Sequence, residues 1–426
     1  IFLKPMSKKL DELLKQLLNL HPKYIDLSLG RLRKLLKNLG NPENSLPPII
    51  HIAGTNGKGS TLSYIRSILI EHNLIVHAYI SPHLKDFNER IIISNKEIQT
   101  NKLKNTLELV KKINNKKPIT FFEITTAAAF YLFSKEKADF LILETGLGGR
   151  LDATNIIKKN LLSIITPISI DHQEYLGKNI LKITNEKLGI IKENSNIVIA
   201  KQKKIVRSHI LKKIKKNKKN LIFYNKEFGI INKNKISFNM RYKKEIITFK
   251  RPSLIGEHQT ENAVTAIAAI LKLKELGYNF SNKKISQAIR KTKWPGRLEM
   301  GSLGKIKIYL DGAHNLDGAI QILRYFKEKK IKIWLVIGML NNKDLYGFLK
   351  KIKPILKGVI AISIPNEKNS FTPKEIINIC NSLSLQSYSQ KSISQVNNLL
   401  SKKIKPQTVL ISGSLYLIGK IRKYYL

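Results

Sequence analysis

Two stretches of this sequence carry residue types whose spacing suits chemistry. The first is His51-Ile52-Ala53-Gly54-Thr55-Asn56-Gly57-Lys58-Gly59-Ser60, which sets glycines, a lysine and a hydroxyl between an apolar run and a helix-like run. Glycines let backbone N–H groups close around a polyphosphate at a helix start, Lys58 adds a point charge, and Ser60 adds a metal-facing hydroxyl. The string departs from the standard phosphate loop, because no glycine stands at Ile52 and Gly59 separates lysine from hydroxyl. A plain glycine turn capping a helix is the alternative. The second stretch begins at Glu144, which ends an apolar run just before Gly146-Leu147-Gly148-Gly149. A carboxylate at the carboxyl edge of a parallel sheet suits a cation; otherwise it is a solvated strand-end acid. His172 alone reads as a satisfied core histidine, but beside Glu144 and the glycine turn it reads as a second cation ligand.

Such groups must be held by a sheet, and the pattern supplies one. Residues 48–53 (PIIHIA), 138–143 (ADFLIL) and 161–165 (LLSII) are short apolar runs of the kind buried in parallel sheets. TLSYIRSILIEHN reads as the helix after the glycine turn, and IFLKPMSKKLDELLKQLL as an amphipathic helix from Ile1. Near residues 221–250 short alternations predict a small antiparallel meander, and helical periodicity returns over 261–276. The break at Pro295-Gly296-Arg297 predicts a linker. Beyond it IKIYLDG, KIWLVIGML, GVIAISI and TVLISGS are four strands alternating with helix-like segments, a doubly wound parallel sheet. The expectation is an α/β protein: a P-loop domain over 1–294, a linker over 295–297, and a smaller Rossmann-like domain over 298–426.

Length and composition agree with two domains. The 426 residues are 42% hydrophobic, enough for a sizeable core. The formal charge is +46, from 76 basic and 30 acidic side chains. Only 12 of the basic residues are arginine, and the lysines travel with abundant Asn and Ile, so the excess reads as compositional drift on solvated faces. Cys380 is the single cysteine, so no intrachain disulfide forms and a reducing cytoplasm fits. No apolar run approaches the ~18 residues that span a bilayer.

Further motifs follow in order: Ser81-Pro82-His83-Leu84, Phe87-Asn88-Glu89-Arg90, Thr120-Phe121-Phe122-Glu123, and Glu144 through Asn155. Asp171-His172, Glu186-Lys187-Leu188-Gly189-Ile190, Trp294-Pro295-Gly296-Arg297 and Asp311-Gly312-Ala313-His314-Asn315 complete the set. With the GTNGKGS turn, which has the form used by the Mur ligase superfamily, this ordered set resembles the folylpolyglutamate synthase/dihydrofolate synthase family from about Leu27 to Leu415.

The resemblance implies an ATP-dependent ligase. ATP phosphorylates a carboxylate to an acyl phosphate, and the amine of L-glutamate attacks it. The acceptors implied are dihydropteroate and the γ-carboxylate of tetrahydrofolate and its derivatives, with both activities in one monomeric chain. Gly54, Thr55, Asn56, Gly57, Lys58, Gly59 and Ser60, with Asn262, Arg297 and Asp311, match the ATP residues. Asn262 otherwise reads as a helix N-cap, and Arg297 as a surface linker charge. Two magnesium sites are implied, with Ser60, Ser81, Glu144 and His172 as ligands. Lys187, in the segment often carbamylated in this family, joins them if it is modified; unmodified, it is a surface lysine or reaches a phosphate. Thr120, Phe121, Phe122 and Glu123, with Leu151, Asp152 and Ala153, match the pterin side, although the two phenylalanines also suit plain core packing. Lys58, His172, Lys187 and Arg297 are the catalytic candidates.

Three other readings compete. A monofunctional folylpolyglutamate synthase has the same motifs. Another Mur-type ligase acting on a nucleotide-linked cell-wall precursor needs a domain of roughly a hundred residues before the turn. Only 53 residues precede Gly54. A P-loop nucleic-acid-binding protein is suggested by residues 201–250, with 17 basic and 2 acidic side chains. The lysine run lacks aromatic interleaving and the segment has no recognisable binding motif, so no specific nucleic-acid partner and no membrane partner are expected.

Overall fold

The computed structural model describes residues 5–23, 25–214 and 220–426. Residues 1–4 of the expected first helix and 215–219 of the lysine-dense segment lie outside the described residues. Contacts divide the chain into two compact units. One takes the chain up to Pro252 together with Glu261–Thr292; the other takes Ser253–Thr260 and Lys293–Leu426. The second therefore begins two residues before the expected linker and also claims a short segment that the sequence places in the first.

The first unit is organised by β1 (Ile49–Ala53), β2 (Val76–Tyr79), β3 (Ile91–Ile93), β4 (Lys96–Glu97), β5 (Phe140–Glu144), β6 (Leu162–Ile165), β7 (Asn196–Ile199) and β8 (Leu221–Phe223). They form one sheet in the order β4-β3-β2-β5-β1-β6-β7-β8. From β2 to β8 all neighbours run parallel, while β3 and β4 are antiparallel additions at one edge. β1, β5 and β6 are buried along their whole length, as β-branched and leucine-rich strands covered on both faces must be. The register sets Ile52 beside Glu144 on one side and Ile164 on the other, which brings the carboxyl ends of three strands together.

On one face of the sheet two clusters lie side by side, one that includes Leu103, Ile124, Phe130 and Phe133 and one that includes Ile183, Ile190 and Val206. Phe130 and Phe133 are fully buried. Each such side chain contributes about 1.5–3 kcal/mol relative to exposure. The expected meander is corrected at its start. Leu221–Phe223 pairs in parallel with β7, because its apolar triplet completes the large sheet. The antiparallel part is β9 (Phe228–Lys233), β10 (Ser237–Tyr242) and β11 (Glu245–Lys250).

The second unit contains β12 (Glu299–Leu303), β13 (Ile306–Leu310), β14 (Ile333–Ile337), β15 (Leu356–Ala361), β16 (Ser387–Ser389) and β17 (Thr408–Ser412), in the order β12-β13-β17-β14-β15-β16. The four expected strands are β13, β14, β15 and β17, and they are parallel. Two edges escaped the sequence reading. β12 is an antiparallel edge of half-exposed residues, and β16 is a three-residue polar strand. Leu335, Phe348, Ile376 and the buried Cys380 lie in this unit's own core.

Candidate functional site

In the first unit the phosphate turn leaves β1 at Gly54. Gly54 has φ of 150°, and an added Cβ would stand 1.8 Å from Thr166 Oγ1, so only glycine fits. Gly57 has φ of 85° and meets the Asn262 side chain, whose Oδ1 would lie 2.5 Å from a Cβ there. The Thr55 and Asn56 N–H groups both donate to Pro167 O, at 2.9 and 3.2 Å. Thr55 Oγ1 donates to Ser169 O, and Asn56 Nδ2 to Ser169 Oγ. The turn is thus held by the segment after β6, leaving the helix Lys58–Glu71 to present its first N–H groups with no side-chain cap. Those unpaired donors and the positive end of the helix suit an anion. Lys58 Nζ curls back to Gly54 O and Thr55 O, at 3.3 and 3.4 Å.

Lys187 departs most from the surface alternative. It is 5% exposed, and its Nζ donates to Gly54 O at 2.9 Å. Burial, reinforced by Lys58 and opposed by Asp171 and Asp152, lowers the ammonium pKa to about 7. Close backbone approach brings it there: a Cβ on Gly149 would lie 2.6 Å from Glu186 O, and one on Gly189 would lie 2.4 Å from Arg150 Cβ. Glu144 ends β5 at 4% exposure and accepts from the Ser81 N–H at 3.3 Å. Ser81 Oγ is buried without a hydrogen-bond partner. A buried carboxylate beside an unsatisfied hydroxyl is a donor set that a hard cation takes, so these residues fit magnesium. Among the described residues no group of three or more His, Cys, Asp or Glu is placed to hold a metal.

A cleft of about 290 Å³ opens here, lined by Gly54, Thr55, Lys58, Thr145–Gly148, Asp171, His172, Leu176 and Lys187. Ser60, Ser81 and Glu144 lie off this lining. His172 has φ of 50°, and its Nε2 stands 3.9 Å from Asp171 Oδ2. It is too exposed, at 41% of its side chain, for the core-histidine alternative.

The pterin-side candidates divide. Thr120 and Glu123 form a capping box on the helix Phe121–Phe133. Glu123 Oε2 accepts from Thr120 N, Thr120 Oγ1 and Arg31 Nε at 2.9, 2.7 and 3.1 Å, while its buried Oε1 has no partner. Phe121 is core, edge-on to Phe87, as packing alone would have it. Phe122 is half-buried and stacks on Tyr79 at 5.8 Å, and a Cβ on Gly146 would lie 2.7 Å from its ring. Asp152 accepts from Leu147 N, Thr154 N and Thr154 Oγ1; burial raises its pKa while those bonds oppose the rise. Ala153 is buried and Leu151 half-buried beside it.

In the second unit Asp311 accepts from the Leu298 and Ala313 N–H groups, both at 2.8 Å. Burial raises its carboxyl pKa, and Arg297 opposes the rise. Arg297 Nη1 donates to Gly296 O at 3.2 Å, and His314 Nδ1 lies 2.9 Å from Gly312 O. Sequence reasoning gave no role to Asp171, although it stands beside His172 in a quoted motif. Arg31 left no signal, since its partner is 92 residues away.

A glycine turn after the central strand of a parallel sheet, with a buried lysine on its carbonyl and a strand-end carboxylate beside it, defines a P-loop nucleotide-binding α/β protein. The Mur ligase middle domain family matches residues 52–270, and the dihydrofolate synthetase C-terminal domain family matches residues 297–424. The dihydrofolate synthase/folylpolyglutamate synthase of Bacillus subtilis strain 168 is 34% identical, over 93% of this chain and 94% of that protein. A probable dihydrofolate synthetase of Schizosaccharomyces pombe is 32% identical, over 94% of this chain and 98% of that protein. The solved structure of Escherichia coli FolC in complex with DHPP and ADP has a TM-score of 0.87 and 26% identity, covering 99% of each chain. The chain belongs to the dihydrofolate synthase/folylpolyglutamate synthase family of Mur-type ligases.

Proposed function

We propose that this chain is an ATP-dependent ligase that adds L-glutamate to dihydropteroate and to the γ-carboxylate of reduced folates. The observation that carries the reading is the double contact of Gly146. It lines the cleft shared by Gly54, Lys58 and Lys187, and it also abuts Phe122 and Asp152. Phosphate-side and pterin-side candidates therefore meet at one loop, as in-line transfer to an acceptor carboxylate requires. The family relatives support the same chemistry, and the E. coli FolC structure holds both ADP and DHPP.

An acceptor carboxylate oxygen attacks the γ-phosphorus and ADP leaves. The glutamate amine then attacks the acyl carbon, phosphate leaves, and the nitrogen loses a proton. Lys58 and the first N–H groups of its helix offset the phosphate charge, in a site where fixed dipoles act more strongly than in water. Ser60, Ser81, Glu144 and His172 would hold magnesium, with a modified Lys187 at a second site, and the cation when bound neutralises phosphate charge. A lysine amine lowered to about 7 is substantially neutral near physiological pH, the form that adds to carbon dioxide. The resulting carbamate keeps one N–H, so donation to Gly54 O survives the modification. Arg297, Asp311 and Asn262 enter by their match to the family's nucleotide residues. The reading needs a single copy of the chain and no nucleic-acid or membrane partner; no helix among the described residues is long and apolar enough to cross a membrane.

The test is ADP release with glutamate and either dihydropteroate or tetrahydrofolate. Both acceptors should support turnover, and Glu144→Ala should abolish it. Turnover with tetrahydrofolate alone would reduce the assignment to a polyglutamylating enzyme, and turnover with neither would overturn it.

A further inference from the structure

We propose that Asn155 is a positioning residue that registers the pterin-side loop against the Lys187 helix, and through Lys187 against the phosphate turn. The inference rests on the ligase reading and deepens it. Asn155 is 6% exposed, and its Nδ2 donates to two carbonyls, Arg150 O and Gly189 O, each at 3.0 Å. Arg150 O opens the segment that carries Leu151, Asp152 and Ala153. Gly189 is the C-cap of the helix Ile180–Leu188, where carbonyls lack intrahelical donors.

The adjoining contacts make this amide one pin of a wider latch. Arg150 N donates to Glu186 O at 2.7 Å, and Lys192 Nζ donates to Asn155 O at 3.1 Å. The next carbonyl, Ile190 O, accepts from Asn160 Nδ2 and Ser163 Oγ, so the chain just past Lys187 is held at successive residues. Gly149 and Gly189 remove the side chains that would force the two segments apart. Asn155 Oδ1 is buried with no partner. The amide is oriented for its two donors at the expense of its acceptor, which packing stability alone does not favour. Lys187 Nζ sits 2.9 Å from Gly54 O, and a helix shift of about 1 Å would carry it out of hydrogen-bond range. The same shift would misalign the acceptor with the phosphate, because Asp152 and Asn155 ride on one short segment.

Asn155→Asp keeps the side-chain shape and removes both donors. The expected variant folds, binds ADP within about threefold of wild type, and loses kcat about tenfold or more with both acceptors. Its amides at Gly189–Ile191 should exchange with deuterium about tenfold faster, while those of β1 and β5 do not change. Asn155→Ser retains one shorter donor and should fall between the two; it carries the test if the Asp variant does not fold. Faster exchange with kcat within about threefold of wild type would overturn the proposal, and so would a lost kcat with unchanged exchange. Loss of ADP binding and of cooperative melting in both variants would make the role merely structural, and that also overturns it. A wild-type chain that turns over neither acceptor sinks the ligase reading instead, a failure visible without any variant; the exchange comparison then decides the latch alone.

Discussion

Burial changes the chemistry of Lys187, which is 5% exposed in a chain of 64 lysines. In protein free of metal and bicarbonate its folded pKa is about 7, against the ordinary lysine value in the unfolded chain. Between those two pH values the unfolded chain binds the extra proton, so folding stability rises with pH; below about 7 both states are protonated and the slope vanishes. Lys187→Met lacks this dependence. It should be more stable than wild type near neutral pH, by a margin that shrinks toward alkaline pH at up to about 1.4 kcal/mol per unit. Urea melts of the two proteins across that range check it; a constant difference would mean that Lys187 does not ionise as a buried amine. The motif around Lys187 was legible as a string. Its burial was not, because it depends on contacts between segments distant in the chain, Gly54 O accepting from its Nζ and Gly149 packing against the backbone of Glu186 and Lys187.

At the scale of elements, the helix Phe121–Phe133 shows that a motif matched to the pterin side also does structural work. Thr120-x-x-Glu123 has the spacing of a capping box, and in the structure both halves of the box are made. Thr120→Ala should therefore cost about 1 kcal/mol. The midpoint of thermal unfolding should fall by roughly 2–4 °C. Arg31→Leu should cost more than the cap, because it leaves the buried Glu123 carboxylate without its cation. It should also raise KM for pterin acceptors, since it loosens the helix end that carries Phe122. Melting curves and acceptor KM values for both variants test this, and an Arg31→Leu protein as stable as wild type would contradict it. The parallel strands were readable because burial on both faces demands unbroken apolar runs. β12 and β16 were not, since edge strands of mixed polarity lack that signature. Leu221–Phe223 was misjudged because three residues cannot reveal which sheet they will join.

For the whole molecule, the charge of +46 bears on capture rather than on the reaction. The site singles out two of its many lysines, Lys58 at the turn and Lys187 beneath it. The others act on polyanionic substrates only through a diffuse field, which salt screens over about 10 Å at 0.1 M. The expected outcome is a kcat/KM for folate acceptors that falls about tenfold between low and high salt, with kcat nearly constant. The fall should steepen as the acceptor's glutamate tail lengthens. Steady-state kinetics over a salt series read this directly, and a flat profile would remove any role for the excess.

The carbonyl of Pro167 takes the Thr55 and Asn56 N–H groups, bonds that the chain makes with itself. Proline itself has no N–H, so this residue adds an acceptor to the turn without adding a donor. The ordering of that stretch of backbone is thus completed during folding rather than at each encounter with ATP. Association can then proceed without a slow rearrangement of the turn, and the entropic cost of fixing a flexible loop is absent from every catalytic cycle.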